Sequence, residues 1–214
     1  MVKKDLESKE LEIKVQIASL RDSSGILNAL KQNLIEIRDF NEITNEQRKE
    51  LEDRGFLRKE VDEDFFIQLI QNVNNKVYVA KNKRGDVIGF ATIYNNENNI
   101  KTIRKTLQNL HIKNKEILDL LLNEKRKFAY LDQISILPEF KRKGVGIAIL
   151  EKALTEINIP LVSFIVKIPL MNKASVFWHE NIGFELVGNG DGEYKGKKFE
   201  WLIYIKWVNK NKIK

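Results

Sequence analysis

Leu11, Ile13, Val15 and Ile17 alternate with Glu12, Lys14 and Gln16, the two-residue period of a strand with one buried face. The period then lengthens. Ile26, Leu27, Leu30, Leu34 and Ile37 recur at helical spacing behind the capping residues Asp22, Ser23 and Ser24. Thr44 and Gln47 have the spacing of a capping box, and Gly55 supplies the stop of that short helix. Phe65, Phe66, Leu69, Ile70 and Val73 predict a further helix over 62–73. Two strands follow at 76–81 and 87–94, joined through Asn82, Lys83, Arg84, Gly85 and Asp86 as a hairpin.

Residues 95–127 break the rhythm. A polar, Asn-rich loop leads into Ile100, Ile103, Leu107 and Leu110, then Ile117, Leu118, Leu121 and Leu122, which predict two short amphipathic helices. Strands are expected again at 128–137, 161–168, 184–187 and 200–208, with helices at 145–157 and 172–181 between them. The expected architecture is α/β: a single domain with a mixed, partly antiparallel central sheet flanked by helices, and a helical insertion at 95–127. The boundaries read as an extension over 1–10, a domain over 11–208 and a basic tail over 209–214.

Composition narrows the chemistry. The chain has no cysteine, which excludes disulfides, thiolate metal sites and a cysteine-linked acyl intermediate. Its two histidines, His111 and His179, make a metal centre an unpromising reading. No apolar run reaches the roughly 18 residues of a membrane span, and the first ten residues lack the apolar core of a secretion signal. A cytoplasmic protein without metal or membrane partner is expected. The net charge of +7 is dispersed along the chain, as on a solvated surface, so nucleic acid is not an expected partner.

The chemistry concentrates at the end of the strand over 128–137. After Pro138, a basic turn (Lys141, Arg142, Lys143) carries Gly144 and Gly146 into an aliphatic helix beginning near Ile147. A helix start offers unpaired N–H groups and the positive end of the helix dipole, which suits a pyrophosphate. Glycine lets the backbone approach such an anion closely. No Gly-Lys-Ser/Thr follows, which argues against a nucleotide-binding P-loop. In the strand itself Asp132 interrupts an apolar run, on the alternate face expected for Ile134 and Ile136. A carboxylate among apolar neighbours suits a general base for an amine, and a rim aspartate held in an ion pair is the plainer alternative.

The segment 137–146, Leu-Pro-Glu-Phe-Lys-Arg-Lys-Gly-Val-Gly, resembles the acyl-CoA loop of the GNAT superfamily of N-acetyltransferases. Lys141 stands where that family usually has Gln or Arg. A second block, 172–184 (Asn-Lys-Ala-Ser-Val-Phe-Trp-His-Glu-Asn-Ile-Gly-Phe), resembles the family's helix beside the thiol end of the coenzyme. The resemblance implies an acetyl-CoA-dependent N-acetyltransferase with direct transfer to a primary amine in a ternary complex. It implies that Lys141, Arg142, Lys143, Gly144, Val145, Gly146, Ile147 and Ala148 hold the diphosphate. Ile134, Ser135 and Ile136 would lie along the pantetheine arm, the first and last through backbone groups. Asn172 and Phe177 would also contact the coenzyme, although Asn172 equally suits a helix cap.

Trp178 occupies the position where the family usually places a tyrosine. An indole N–H donates a hydrogen bond but delivers no proton at neutral pH, so packing or thiolate stabilisation is expected of it. This departure keeps a non-catalytic acyl-CoA-binding or regulatory module as the alternative. A lone helix histidine such as His179 reads as packing. The acceptor, an amine-bearing small molecule or peptide, is expected near 39–61, where Glu36, Asp39, Glu42, Glu50, Glu52 and Asp53 cluster, and near the insertion. A homodimer is left open.

Overall fold

Eight strands form one sheet in the order β1-β2-β3-β5-β6-β8-β7-β4. The computed structural model describes residues 12–35, 43–57, 61–107, 109–194 and 196–208. The extension over 1–10, the tail over 209–214, Leu11 and Ile37 lie outside those residues. The first half runs β1 (Lys14–Ile17), α1 (Ser23–Lys31), α2 (Asn45–Arg54), α3 (Glu63–Gln71), β2 (Asn75–Lys81) and β3 (Val87–Tyr94). Then come α4 (Glu97–Thr106), β4 (Leu110–His111), α5 (Lys115–Leu122) and β5 (Ala129–Ile136). The chain closes with α6 (Val145–Glu156), β6 (Leu161–Ile168), α7 (Lys173–Asn181), β7 (Glu185–Tyr194) and β8 (Lys197–Lys206).

The local signals act as expected at most element ends. Thr44 accepts from the Gln47 N–H in a complete capping box, and Gly55 closes α2 with φ 77°. Asp62 caps α3, which stops at Gln71, so that Val73 falls in a turn and is 84% exposed. β7 extends well beyond the four residues expected at 184–187. Its glycines concealed it, because they look like a strand end. In the fold they admit neighbours: a Cβ on Gly190 would lie 2.6 Å from the Trp201 ring, and one on Gly188 2.6 Å from the His111 carbonyl.

Helices cover both faces of the sheet. On one, Phe90 meets Phe66 of α3 edge to face at 5.5 Å, and the Ser135 hydroxyl donates to the Ala29 carbonyl of α1. On the other, a Cβ on Gly89 would fall 2.5 Å from Ile136 Cδ1 and 3.3 Å from Val145 of α6, so glycine lets that helix sit close. The insertion packs against the sheet. Ile100, Leu107, Leu120 and Leu121 build a second core with Phe128, Val162, Ile203 and Ile205. The Arg104 guanidinium donates to the carbonyls of Leu120, Leu121 and Arg126, tying α4 to the last turn of α5. β4, absent from the sequence expectation, adds two residues to the edge of β7.

One seam of the sheet is incomplete. β5 and β6 run parallel and pair only through Ala129, Tyr130 and Leu131 with Leu161, Val162 and Ser163. Beyond these residues the strands separate and a cleft opens between them.

Candidate active site

The gap between β5 and β6 widens into a cleft of about 1430 Å³. Its walls are the outer halves of the two strands, the start of α6, the start of α7 and the segment from Arg54 to Leu57. The backbone of β5 explains what the cleft offers. The Leu137 N–H donates to the Ile88 carbonyl, so Leu137, Ser135 and Gln133 point their backbone groups at β3. Alternation in an antiparallel ladder turns those of Ile134 and Ile136 toward the gap. Asn33 Nδ2 takes the Ile136 carbonyl at 2.9 Å, and the Ser135 hydroxyl at 2.8 Å. The Ser135 side chain thus serves packing against α1, buried at 3% exposure.

At one end of the cleft the chain turns through Arg142, at φ 60°, and Gly144, at φ 80°, into α6. No side chain caps this helix. The first helical bond is from the Ala148 N–H to the Gly144 carbonyl, leaving the earlier amides of the turn for an anion. A Cβ on Gly144 would meet nothing within 4 Å, whereas one on Gly146 would meet Trp178 Nε1 at 3.1 Å. The two glycines therefore do different work: Gly144 faces open space, and Gly146 accommodates an indole.

The basic triplet is also divided. Lys141 donates to the Arg54 carbonyl at 3.0 Å, closing the C-terminus of α2, and burial, then the Arg54 guanidinium, lower its pKa. Lys143 lies 5.6 Å from the Phe140 ring and does not line the cleft, and neither does Ala148. Arg142 lines it and is exposed. Ile147 and Phe177, 43% and 71% exposed, add apolar surface beside it.

The α7 side is held by α2. Asn172 caps α7 through the Ser175 N–H and donates to the Phe56 carbonyl at 2.8 Å. Lys173 pairs with Glu52 at 2.6 Å, Arg48 donates to the Pro169 carbonyl, and Gly55 lies against Ala174. Of the acidic cluster, Glu50 and Asp53 line the cleft and Glu52 is spent on Lys173, while Glu36, Asp39 and Glu42 lie outside the described residues. The Trp178 N–H has no acceptor among the described residues. His179 is structural. It is 1% exposed, its Nδ1–H donates to the Ser175 carbonyl, and its Nε2 accepts from the Ser163 hydroxyl at 3.0 Å. Burial pushes its pKa down to about 4, against the Ser175 carbonyl, so it is neutral at pH 7.

Asp132 sits at a register shift between β5 and β3: Thr92 faces Gln133 but Ile93 faces Leu131. The pairing with β3 slips there by one residue, yet burial still alternates along β5, so Asp132, Ile134 and Ile136 keep the shared, less buried face expected of them and all line the cleft. Its carboxylate accepts from the Tyr94 hydroxyl, a contact the sequence did not reveal. Burial first, and Asp132 second, raise the pKa of Tyr94 and of Tyr130 well above the ordinary tyrosine value, so both keep their protons. Next to it, Gln133 is 4% exposed, and among the described residues neither of its amide atoms nor the Thr92 hydroxyl opposite has a partner.

Residues 38–184 match the model of the Acetyltransferase (GNAT) family. The chain belongs to that family. A search among curated protein sequences finds no match. Solved structures share the fold at low identity. One is the ribosomal-protein-S18-alanine N-acetyltransferase from Escherichia coli, with TM-score 0.56 and 13% identity over 94% of this chain and 98% of that one. Another is NAA60 from Arabidopsis thaliana in complex with acetyl-CoA, with TM-score 0.54 and 15% identity over 92% and 99%. A third is yncA from Salmonella typhimurium with its cofactor acetyl-CoA, with TM-score 0.56 and 15% identity over 94% of this chain and 96% of that one. The GNAT protein described here is an acetyltransferase with no helix, among its described residues, long and apolar enough to cross a membrane.

Proposed function

We propose that the protein transfers an acetyl group from acetyl-CoA directly to a primary amine, both being bound together. The observation that carries this reading is the cleft between β5 and β6, with free helix-start amides at one end and Asp132 at the other. The residues present fit acetyl-CoA, since the amides of 142–147, Arg142 and the open face of Gly144 suit its diphosphate. Ile134 and Ile136 offer ladder groups to its extended arm. When bound, acetyl-CoA supplies an acyl carbon whose bond to sulfur breaks as the bond to the amine nitrogen forms.

The chain's own residues then have defined tasks. Asp132, at the inner end of the cleft, takes the proton that the amine must lose. The Tyr94 hydroxyl, held protonated, orients that carboxylate. Trp178 packs its indole edge on Gly146 and shapes the cleft wall along which the coenzyme lies, a role that gives up no proton. Much of the rate comes from holding two reactants in line, which reaches an effective molarity of about 10⁵ M or more. The Lys143 and Ala148 side chains do not line the cleft, so Lys143 would serve the diphosphate through its backbone amide and Ala148 through the first turn of α6. The domain boundary at 11–208 is kept with this reading.

Release of free thiol from acetyl-CoA in the presence of a panel of amines tests the proposal. Amine-dependent turnover with acetylated product detected by mass is expected. Tight binding of acetyl-CoA with no amine acetylated would favour a non-catalytic module.

A further inference from the structure

Among the described residues, Asp132 alone lines both the cleft and a second cavity, of about 440 Å³, between α3, α4 and the ends of β3 and β5. That volume suits a small molecule. Leu69 and Ile103 give the cavity apolar walls, and the amide side chains of Gln68, Asn72 and Asn99 stand around them. The Asn99 amide is fixed by donating to Asn75 Oδ1 at 2.8 Å, and Asn75 donates in turn to the Leu69 carbonyl, so α4 is tied to α3 at this point. Asp132 carries the only formal charge among the described lining residues.

We propose that this cavity is the acceptor pocket, and that its substrate is a small primary amine whose other polar groups are uncharged, in the class of an amino sugar or an amino-acid amide. The inference rests on the acetyl-transfer reading above and adds the acceptor to it. One carboxylate balances one ammonium group. A second ammonium, as in a polyamine, finds no second acid, and a free carboxylate finds no Lys or Arg in the lining. Either charge would gain no ion pair from the described lining. Neutral hydroxyl and amide groups meet side chains that donate and accept, and a site built that way discriminates against ligands lacking such groups. Entry here also puts the amine at Asp132 from a cavity the coenzyme does not need. The two substrates therefore reach one carboxylate by separate routes.

The test uses the full chain, acetyl-CoA and four amines: D-glucosamine, glycinamide, spermidine and glycine. The expected kcat/KM for D-glucosamine or glycinamide is at least tenfold above that for spermidine and for glycine. Gln68→Trp and Thr102→Trp, at exposed positions of α3 and α4, fill the cavity and raise the amine KM at least tenfold. Calorimetric affinity for acetyl-CoA stays within threefold in both. Gln68→Glu adds a second acid and raises kcat/KM for spermidine. Preference of the parent for spermidine or glycine, or an unchanged amine KM in both Trp variants, overturns the pocket assignment while leaving the transferase reading intact. Bound acetyl-CoA with no amine turned over overturns that reading, and the pocket's role with it.

Discussion

The Trp178 indole nitrogen lies 3.1 Å from the point where a side chain on Gly146 would begin. The two helices that border the cleft thus meet through a bare backbone and a ring. Gly146→Ala is expected to lose the gain of about 1 kcal/mol that alanine brings inside a helix, because its Cβ must press on the indole at 3.1 Å. Trp178→Phe, which removes the ring edge in question, should recover part of that gain. Urea unfolding of the two single variants and the double variant measures the coupling, and additive effects would refute the contact.

Arg142 is the better probe of the anion site. It is exposed, lines the cleft and holds φ 60°, where glycine is at ease and arginine is strained. Arg142→Gly should leave the protein as stable or about 1 kcal/mol more so. Its affinity for acetyl-CoA should nonetheless fall about tenfold, the loss of one charge-assisted contact. Thermal unfolding and calorimetry separate the two effects, and unchanged affinity would remove the guanidinium from the site.

Asp132→Asn should lower kcat by about 10²–10⁴-fold, as for loss of a general base, with acetyl-CoA affinity little altered. Tyr94→Phe should cost less, because it leaves the carboxylate and removes only its orienting donor. A parent-like kcat for Asp132→Asn would make the aspartate a structural partner of Tyr94.

Buried His179 gives the fold a pH dependence of known sign. Its folded pKa of about 4 lies below the unfolded value of 6.5, so the unfolded chain binds more protons between these limits. The contribution is whole above pH 6.5 and is lost as pH falls toward 4. Between pH 7 and pH 5 the loss is about 2 kcal/mol. His179→Gln should be less stable at pH 7 yet flatter with pH, which urea midpoints at the two pH values will show.

Gln133 offers a split between stability and function. Its amide is buried beside Asp132 without a partner among the described residues. An apolar residue of similar size avoids the desolvation cost, about 1–3 kcal/mol for such a group. Gln133→Met should therefore raise the melting temperature, and it should raise the KM of a substrate if the amide serves one. A less stable variant with parental kinetics would show that the glutamine serves the fold.

Periodicity and caps revealed most of this fold because the signals are local. Thr44 with Gln47, Asp62 and Gly55 mark helix ends whatever packs on them. The loop over 141–147 was legible because its chemistry lies in consecutive residues. What stayed hidden is set by partners distant in sequence. Nothing in a lysine announces that it will close a helix 87 positions earlier, as Lys141 does for Arg54. The Tyr94 contact depends on a bulge at Asp132, and a one-residue register shift leaves no mark in the hydrophobic pattern. β7 was underestimated because Gly190 is explained only by Trp201 across the hairpin.

The parting of β5 from β6 after three residue pairs has a bearing on how the protein guards itself. An open strand edge on a protein's rim invites another molecule's strand. Here the open edge of Ile134 and Ile136 lies inside a cleft walled by Arg54–Leu57 and α7 instead of on the rim. Hydrogen-bonding capacity that would be an aggregation hazard elsewhere is thereby kept for a guest, and occupancy by that guest should make the sheet harder to unfold.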